Sequence, residues 1–209
     1  MMKDKPWIAS LQEKVTLVAV SKTRSREQIQ SLYHQGITLF AENKVQELKQ
    51  KAQLDDPWTW HFIGHLQTNK VKDVLDFSTF IHSVDSIRLL EKIASVASLR
   101  HMEVTILVQM KLTDEKTKYG LDPAELPIFL EKLTEFAHIH CLGMMVMGPL
   151  TEDRSQTYDT FKRAKQLFDE IKKTHSEWTI LSMGMSDDYP IAIECGSTMV
   201  RLGSLLFND

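Results

Sequence analysis

The sequence predicts an α/β fold, a (β/α)8 barrel formed as a single domain by residues 1–209. Short apolar stretches rich in β-branched residues, typical of strands buried on both faces, alternate with amphipathic helical stretches. Eight such units follow one another, and no linker rich in proline, glycine or serine divides them. Eight units favour a closed barrel over an open doubly wound sheet, although 209 residues is near the lower limit for a barrel.

The elements are placed by where the apolar runs begin and end. In chain order, strands are predicted at residues 15–20, 38–41, 59–63, 79–82, 104–110, 140–146, 179–182 and 199–202. Helices are predicted at residues 26–34, 44–52, 86–99, 125–137 and 155–174. A short helix at residues 7–13 is expected to close the bottom of the barrel, and residues 203–204 open a last helical stretch.

Composition excludes several classes of function. The net charge is -3 with acidic and basic residues interspersed, so there is no basic stripe for nucleic acid. No segment approaches the length of a membrane span, and we expect a cytoplasmic protein. Cys141 and Cys195 lie far apart without a Cys-x-x-Cys pattern, which argues against a disulfide framework or a thiolate metal site. Four lysines are predicted to lie on solvated helix faces: Lys49, Lys51, Lys70 and Lys72.

Polar residues follow the predicted strands at the ends where a barrel places its active site. Lys22 comes directly after the first apolar run, residues 15–21. A lysine at the end of a buried strand either extends to solvent or becomes a nucleophile, as the lysines that form Schiff bases do. His61 and His65 straddle a strand and its exit, and His138 and His140 bracket a strand start, so we expect no metal site.

Five motifs occur in order along nearly the whole chain, from Val15 to Phe207. They are residues 19–23 (Ala-Val-Ser-Lys-Thr), 40–43 (Phe-Ala-Glu-Asn), 60–67 (Trp-His-Phe-Ile-Gly-His-Leu-Gln) followed by Asn69 and Lys70, 181–186 (Leu-Ser-Met-Gly-Met-Ser) and 196–203 (Gly-Ser-Thr-Met-Val-Arg-Leu-Gly). Together they resemble the pyridoxal phosphate homeostasis proteins, single-domain barrels related to alanine racemase. The resemblance implies the type III fold of enzymes that use pyridoxal 5'-phosphate (PLP), without the C-terminal β domain of racemases.

The resemblance also implies the residues that bind PLP. Lys22 matches the lysine that forms the Schiff base, and Arg201 matches the arginine that faces the pyridine nitrogen. A guanidinium cannot give that nitrogen a proton, so the ring stays a poor electron sink. Asn43 is expected beside the ring or its phenolic oxygen, although the N-cap of a helix is an alternative for this residue.

The phosphate of the cofactor is expected at the ends of the last two strands. Gly203 and Ser204 open the final helical stretch, where free backbone N–H groups bind anions. Ser182 could donate its hydroxyl to the phosphate. The adjoining turn contributes Met183, Gly184 and Ser186. Lys118 matches a Lys-x-Gly element that could hold an anion or the free vitamer, with a solvated loop lysine as the alternative.

Two functions follow from the resemblance. The favoured one is a carrier without catalytic turnover that holds PLP as a Schiff base and buffers or delivers it in vitamin B6 homeostasis. The alternative is a PLP-dependent amino-acid racemase, which requires a second base that racemases take from an additional domain. The expected partners are PLP and related B6 vitamers, with apo forms of PLP-dependent enzymes as candidate recipients. We expect a monomer that binds neither nucleic acid nor membrane.

Overall fold

The eight strands form a closed parallel barrel in which each strand pairs with its neighbours in the sequence and the last pairs with the first. A computed structural model describes residues 5–113 and 119–208. The strands are β1 Thr16–Val20, β2 Leu39–Glu42, β3 Thr59–Phe62, β4 Phe80–Val84, β5 Val104–Met110, β6 Ile139–Val146, β7 Ile180–Ser182 and β8 Met199–Leu202. The predicted (β/α)8 fold is confirmed.

Helices follow the strands around the outside of the barrel. They are α1 Trp7–Gln12, α2 Arg26–Tyr33, α3 Val45–Lys51, α4 Val71–Leu75, α5 Ile87–Arg100, α6 Leu126–Leu133, α7 Arg154–Lys172, α8 Tyr189–Glu194 and α9 Ser204–Phe207, with 3₁₀ turns at Thr68–Lys70 and Pro123–Glu125. The sequence did not predict α4 or α8. Each is shorter than two helical turns, so neither shows a repeat of apolar residues.

Capping features mark the start of α2 and the end of α5. At the start of α2, the Gln28 backbone N–H donates to Ser25 Oγ at 3.4 Å and the Ser25 backbone N–H donates to Gln28 Oε1 at 3.0 Å, a capping box. At the end of α5, His101 adopts a left-handed conformation with φ 52°. The predicted and observed ends of these two helices agree to within one residue.

Apolar side chains fill two separate spaces. The larger core lies between the strands and helices and includes the fully buried Phe40, Phe129 and Trp178. Since strand side chains alternate between faces, the residues between those that pack in this core point into the barrel. A small apolar cluster of Val18, Ala41 and Met199 lies there. Buried polar side chains also lie in the interior, and four of them lead to the candidate site: His61, His82, Ser182 and Arg201.

The described residues include no helix with the length and apolar character needed to cross a bilayer. The same residues contain no group of three or more His, Cys, Asp or Glu side chains arranged to hold a metal ion. His138 and His140 both contact Glu103 at the start of β6, with N–O distances of 2.9 and 2.6 Å. Both cysteines are free, and burial raises the pKa of Cys141 to about 12.

Candidate functional site

Lys22 lies at the carboxyl ends of the strands, between two other predicted site residues. β1 pairs with β2 through Val20 and Ala41, and with β8 through Ala19 and Leu202. Extending these registers places Lys22 level with Asn43 on one side; on the other side Gly203 is level with Val20, two residues before Lys22. The Lys22 side chain is exposed and, in the part of the chain that the structure describes, forms no hydrogen bond or ion pair. Its amine is therefore uncommitted.

The turn after β7 is joined to the turn after β8. Ser186 Oγ accepts hydrogen bonds from the Gly203 backbone N–H at 3.1 Å and the Leu205 backbone N–H at 3.4 Å. Gly184 has φ +96°, and a Cβ there would lie 2.6 Å from the Ala192 Cβ, so no other residue fits. Ser204 is the first residue of α9, where N–H groups have no partner within the helix. Gly184, Ser186, Gly203 and Ser204 thus form one neighbourhood rich in N–H donors.

Arg201 lies inside the barrel and is only 2% exposed. Its Nη1 donates to the Ser182 carbonyl oxygen at 2.8 Å and to Ser182 Oγ at 2.7 Å, and its Nη2 donates to the Val146 carbonyl oxygen at 3.1 Å. Burial lowers the pKa of Arg201 to about 10, against the opposing effect of Asp188. The guanidinium therefore stays charged at neutral pH and is held by acceptors on two neighbouring strands.

A chain of polar side chains runs inward from Arg201. Because a guanidinium only donates, Ser182 Oγ accepts from it and can direct its own proton to His82 Nδ1, 3.4 Å away. His82 then carries its proton on Nε2 and donates to His61 Nδ1 at 2.9 Å. Burial lowers the pKa of His61 to about 4, and burial followed by the charges of His61 and Arg201 lowers the pKa of His82 well below its usual value. Both imidazoles are neutral at pH 7.

These two histidines make stability depend on pH. In the unfolded chain a histidine takes up a proton near pH 6.5, whereas folded His61 does so only at about pH 4. The unfolded state therefore binds more protons between these values, and the free energy of unfolding falls as the pH falls through this window, by up to about 1.4 kcal/mol per pH unit for each histidine. Urea unfolding at about pH 7.5 and about pH 5 measures the effect.

A matched pair of variants assigns this pH effect. His61→Gln should reduce the difference between the two urea midpoints, and replacement of the exposed His34 by glutamine should leave it unchanged. A wild-type midpoint that is the same at both pH values would contradict the burial of neutral imidazoles.

Asn43 carries a buried amide oxygen, Oδ1, that has no hydrogen-bond partner among the described residues. The N-cap of α3 is Lys44, which makes no side-chain capping bond, so the alternative interpretation of Asn43 as an N-cap is wrong. The backbone after β3 approaches closely, because a Cβ on Gly64 would lie 1.9 Å from the Asn43 carbonyl oxygen. A buried unpaired amide oxygen is costly without a ligand, so Asn43 is poised to bind one.

Comparison with known proteins agrees with this geometry. The family model for the N-terminal domain of alanine racemase matches residues 7–209. Pyridoxal phosphate homeostasis protein of Helicobacter pylori is 38% identical over 199 residues, which cover 93% of this chain and 88% of the relative. The protein of the same name from Synechocystis is 38% identical over 206 residues, covering 97% and 94%. The chain belongs to the family of the pyridoxal phosphate homeostasis proteins.

Solved structures extend the family match to the fold. PipY of Synechococcus elongatus without PLP has a TM-score of 0.90 at 36% identity, covering 96% of this chain and 98% of PipY. PipY with PLP bound gives 0.85 at 33% identity with the same coverage. An alanine racemase of Clostridium difficile gives 0.77 at 17% identity and is covered over only 56% of its length. That last likeness shows a shared barrel fold alone.

Two residues predicted from the family motifs, Ser182 and Met183, already form hydrogen bonds within the protein. Ser182 is fully buried, with its hydroxyl bound by Arg201. Met183 is buried in the larger core; its backbone N–H donates to the Met199 carbonyl oxygen and its carbonyl accepts from Ser197 Oγ. The structure therefore gives both residues a supporting role behind the turn. Lys118 lies outside the described residues.

Lys51 does not lie on a solvated helix face, and that prediction is wrong. Its side chain is 12% exposed and contacts two carboxylates, whereas Lys49 and Lys72 are exposed as predicted. His82 was not predicted to have any role. Alternation along a strand could have shown that His61 and His82 point into the barrel. In a strand that is buried on both faces, however, this alternation does not distinguish inward-facing from outward-facing residues.

Proposed function

We propose that this protein binds PLP reversibly and buffers or delivers it in vitamin B6 homeostasis. One observation carries the proposal: at neighbouring strand ends of a closed barrel, the uncommitted Lys22 amine lies between the Asn43 amide, whose buried oxygen has no partner among the described residues, and a turn rich in N–H groups. Relatives that share more than a third of the sequence are named for PLP homeostasis, and PipY has been solved with PLP bound.

The residues present fit an aldehyde cofactor with a phosphate and an aromatic ring. Lys22 would hold it covalently: the uncharged Nζ adds to the aldehyde carbon, a C=N bond replaces the C=O bond, and the aldehyde oxygen leaves as water. Asn43 would face the ring or its phenolic oxygen with its side-chain amide, whose Oδ1 has no partner among the described residues. The flanking strands β1 and β2 fix the relative height of the two residues.

The phosphate would bind at the turns after β7 and β8. Ser186 Oγ accepts from two backbone N–H groups there, so it occupies an acceptor position suited to an anionic oxygen. Gly203 and Ser204 would offer backbone N–H groups to the phosphate, the Gly203 N–H in exchange for its present bond to Ser186, and Ser186 would donate its hydroxyl. Gly184 keeps the turn close, and Met183 and Ser182 support it from below.

Arg201 would meet the pyridine nitrogen. A guanidinium has donors and no acceptor, so it can hydrogen-bond only to an unprotonated ring nitrogen. The bonds from Arg201 to Ser182 and Val146 fix its direction before any ligand arrives. An unprotonated ring withdraws electrons weakly, which favours storage of the cofactor over chemistry at an amino-acid substrate.

The alternative is an amino-acid racemase. Racemisation needs proton transfer on both faces of the α-carbon, and Lys22 can serve only one face. We propose that amino acids are not turned over and that PLP is exchanged instead. Apo forms of PLP-dependent enzymes would be the recipients, and we expect the protein to act as a monomer in the cytoplasm.

The deciding experiment uses protein loaded with PLP. It is incubated with L-alanine in deuterated water while α-proton exchange and optical rotation are followed, and then with an apo PLP enzyme whose recovered activity reports transfer. We expect transfer without appreciable exchange. Turnover on the order of one per second or faster would overturn the carrier function in favour of a racemase.

A further inference from the structure

Lys51 is the centre of a buried ion cluster beside the candidate site. Its Nζ donates to the Ser21 carbonyl oxygen at 2.8 Å, to Glu42 Oε1 at 2.7 Å and to Glu47 Oε2 at 2.8 Å. An ammonium has three N–H donors, and each has an acceptor here. The Glu42 side chain is fully buried and the Glu47 side chain is 18% exposed. The cluster is therefore shielded from the solvent that weakens surface ion pairs.

The same cluster binds the backbone on both sides of Lys22. On one side, Ser21 gives its carbonyl oxygen to Lys51, and its hydroxyl donates to Glu42 Oε1 at 2.7 Å. On the other side, the Thr23 backbone N–H donates to Glu47 Oε2 at 2.6 Å. Lys22 itself takes no part in these bonds.

Backbone strain marks the segment that the cluster holds. Thr23 has φ +62°, in the left-handed region that is unfavourable for a β-branched residue. A residue stays in such a conformation only when its surroundings fix it, and the Glu47 carboxylate provides that contact. The strained turn directs the chain away from β1 immediately after Lys22.

We propose that Lys51, together with Glu42 and Glu47, is a charged clamp that fixes the backbone around Lys22, and that Lys51 is a positioning residue for PLP binding. This inference rests on the proposed role of Lys22. A covalent bond forms only when the amine is held at the right distance and angle from the aldehyde. The clamp fixes the position of the Lys22 backbone before the ligand binds, while it leaves the Lys22 side chain free.

The clamp also separates the roles of two lysines. Lys51 has every donor engaged with an acceptor, and two of these acceptors are carboxylates, so its Nζ is not available as a nucleophile. Burial raises the pKa of Glu42, and the hydrogen bonds from Lys51 and Ser21 oppose this rise. Removing Lys51 would therefore leave a carboxyl group without its counter-ion inside the protein.

The test compares Lys51→Met with Lys49→Met, an exposed lysine on the same helix whose contact is an ion pair with Asp73 at 3.3 Å. We expect Lys51→Met to weaken PLP binding by about tenfold and, in the cofactor-free protein, to speed hydrogen exchange of the Thr23 amide by about tenfold. Lys49→Met should match the wild type in both measurements.

A second variant keeps the test valid if Lys51→Met folds poorly. Lys51→Met combined with Glu42→Gln removes the unpaired buried carboxylate, so its unfolding midpoint should recover while PLP binding stays weak. A folded variant without Lys51 that has wild-type affinity and wild-type Thr23 exchange overturns the clamp. Borohydride labelling of the wild type on a lysine other than Lys22 instead overturns the proposed function.

Discussion

Lys22→Ala should abolish covalent attachment of PLP. The wild type incubated with PLP should gain a visible absorption band, and borohydride should fix the label on Lys22; the variant should show neither. Loss of the covalent bond should weaken binding on the order of a hundredfold. Because the Lys22 side chain is exposed and forms no hydrogen bond or ion pair with a described residue, the free energy of unfolding should change by less than about 0.5 kcal/mol. Absorbance titration and denaturant unfolding measure the two effects.

The exposed Lys49 provides the matched control for this experiment. Lys49→Ala should bind PLP and carry the borohydride label as the wild type does. Persistence of the visible band in Lys22→Ala would contradict a direct role of the Lys22 amine. Loss of the band together with a large fall in the free energy of unfolding would also contradict it.

Arg201→Met should lower the free energy of unfolding by about 3 kcal/mol, because it leaves buried acceptors without their donors. The acceptors that lose the guanidinium are the carbonyl oxygens of Ser182 and Val146, the Ser182 hydroxyl and the Met147 sulfur. Methionine has a similar length and no donor, so the change removes hydrogen bonds more than volume. Urea unfolding at neutral pH measures the loss.

Two further variants calibrate that loss. Arg163→Met removes an exposed arginine on α7 and should be nearly neutral. Ser182→Ala removes one acceptor and keeps the guanidinium paired with two carbonyl oxygens, so about 1 kcal/mol should be lost. Equal midpoints for Arg201→Met and Arg163→Met would contradict the buried position of Arg201.

The strands could be predicted well because they are buried on both faces. β5 and β8 begin and end at the predicted residues, and β3 differs by one residue at its end. A continuous apolar run between polar segments marks such strands clearly. The short helices α4 and α8 were missed, since helical periodicity needs a longer stretch to show itself.

The site could be predicted in part. Lys22, Asn43 and Gly203 follow the ends of neighbouring strands, and a barrel brings the ends of neighbouring strands together. Contacts between distant side chains follow no such rule. Lys51 reaches the Ser21 carbonyl across 30 residues of sequence, and its charge alone suggested a solvated position. Whether the His82 side chain points into the barrel depends on the strand register. A strand that is buried on both faces lacks the apolar–polar alternation from which the register could be read.

The seam between β1 and β8 has a consequence for the order in which the molecule assembles. Thr16 pairs with Met199, so the barrel closes only when residues from opposite ends of the described chain meet. Contacts of such sequence separation form late and slowly, because a long loop must be closed first. Lys22 lies on one side of this seam and Gly203 on the other. During synthesis the residues around Lys22 therefore emerge long before their partners, and the complete pocket should become available only as the final strand docks.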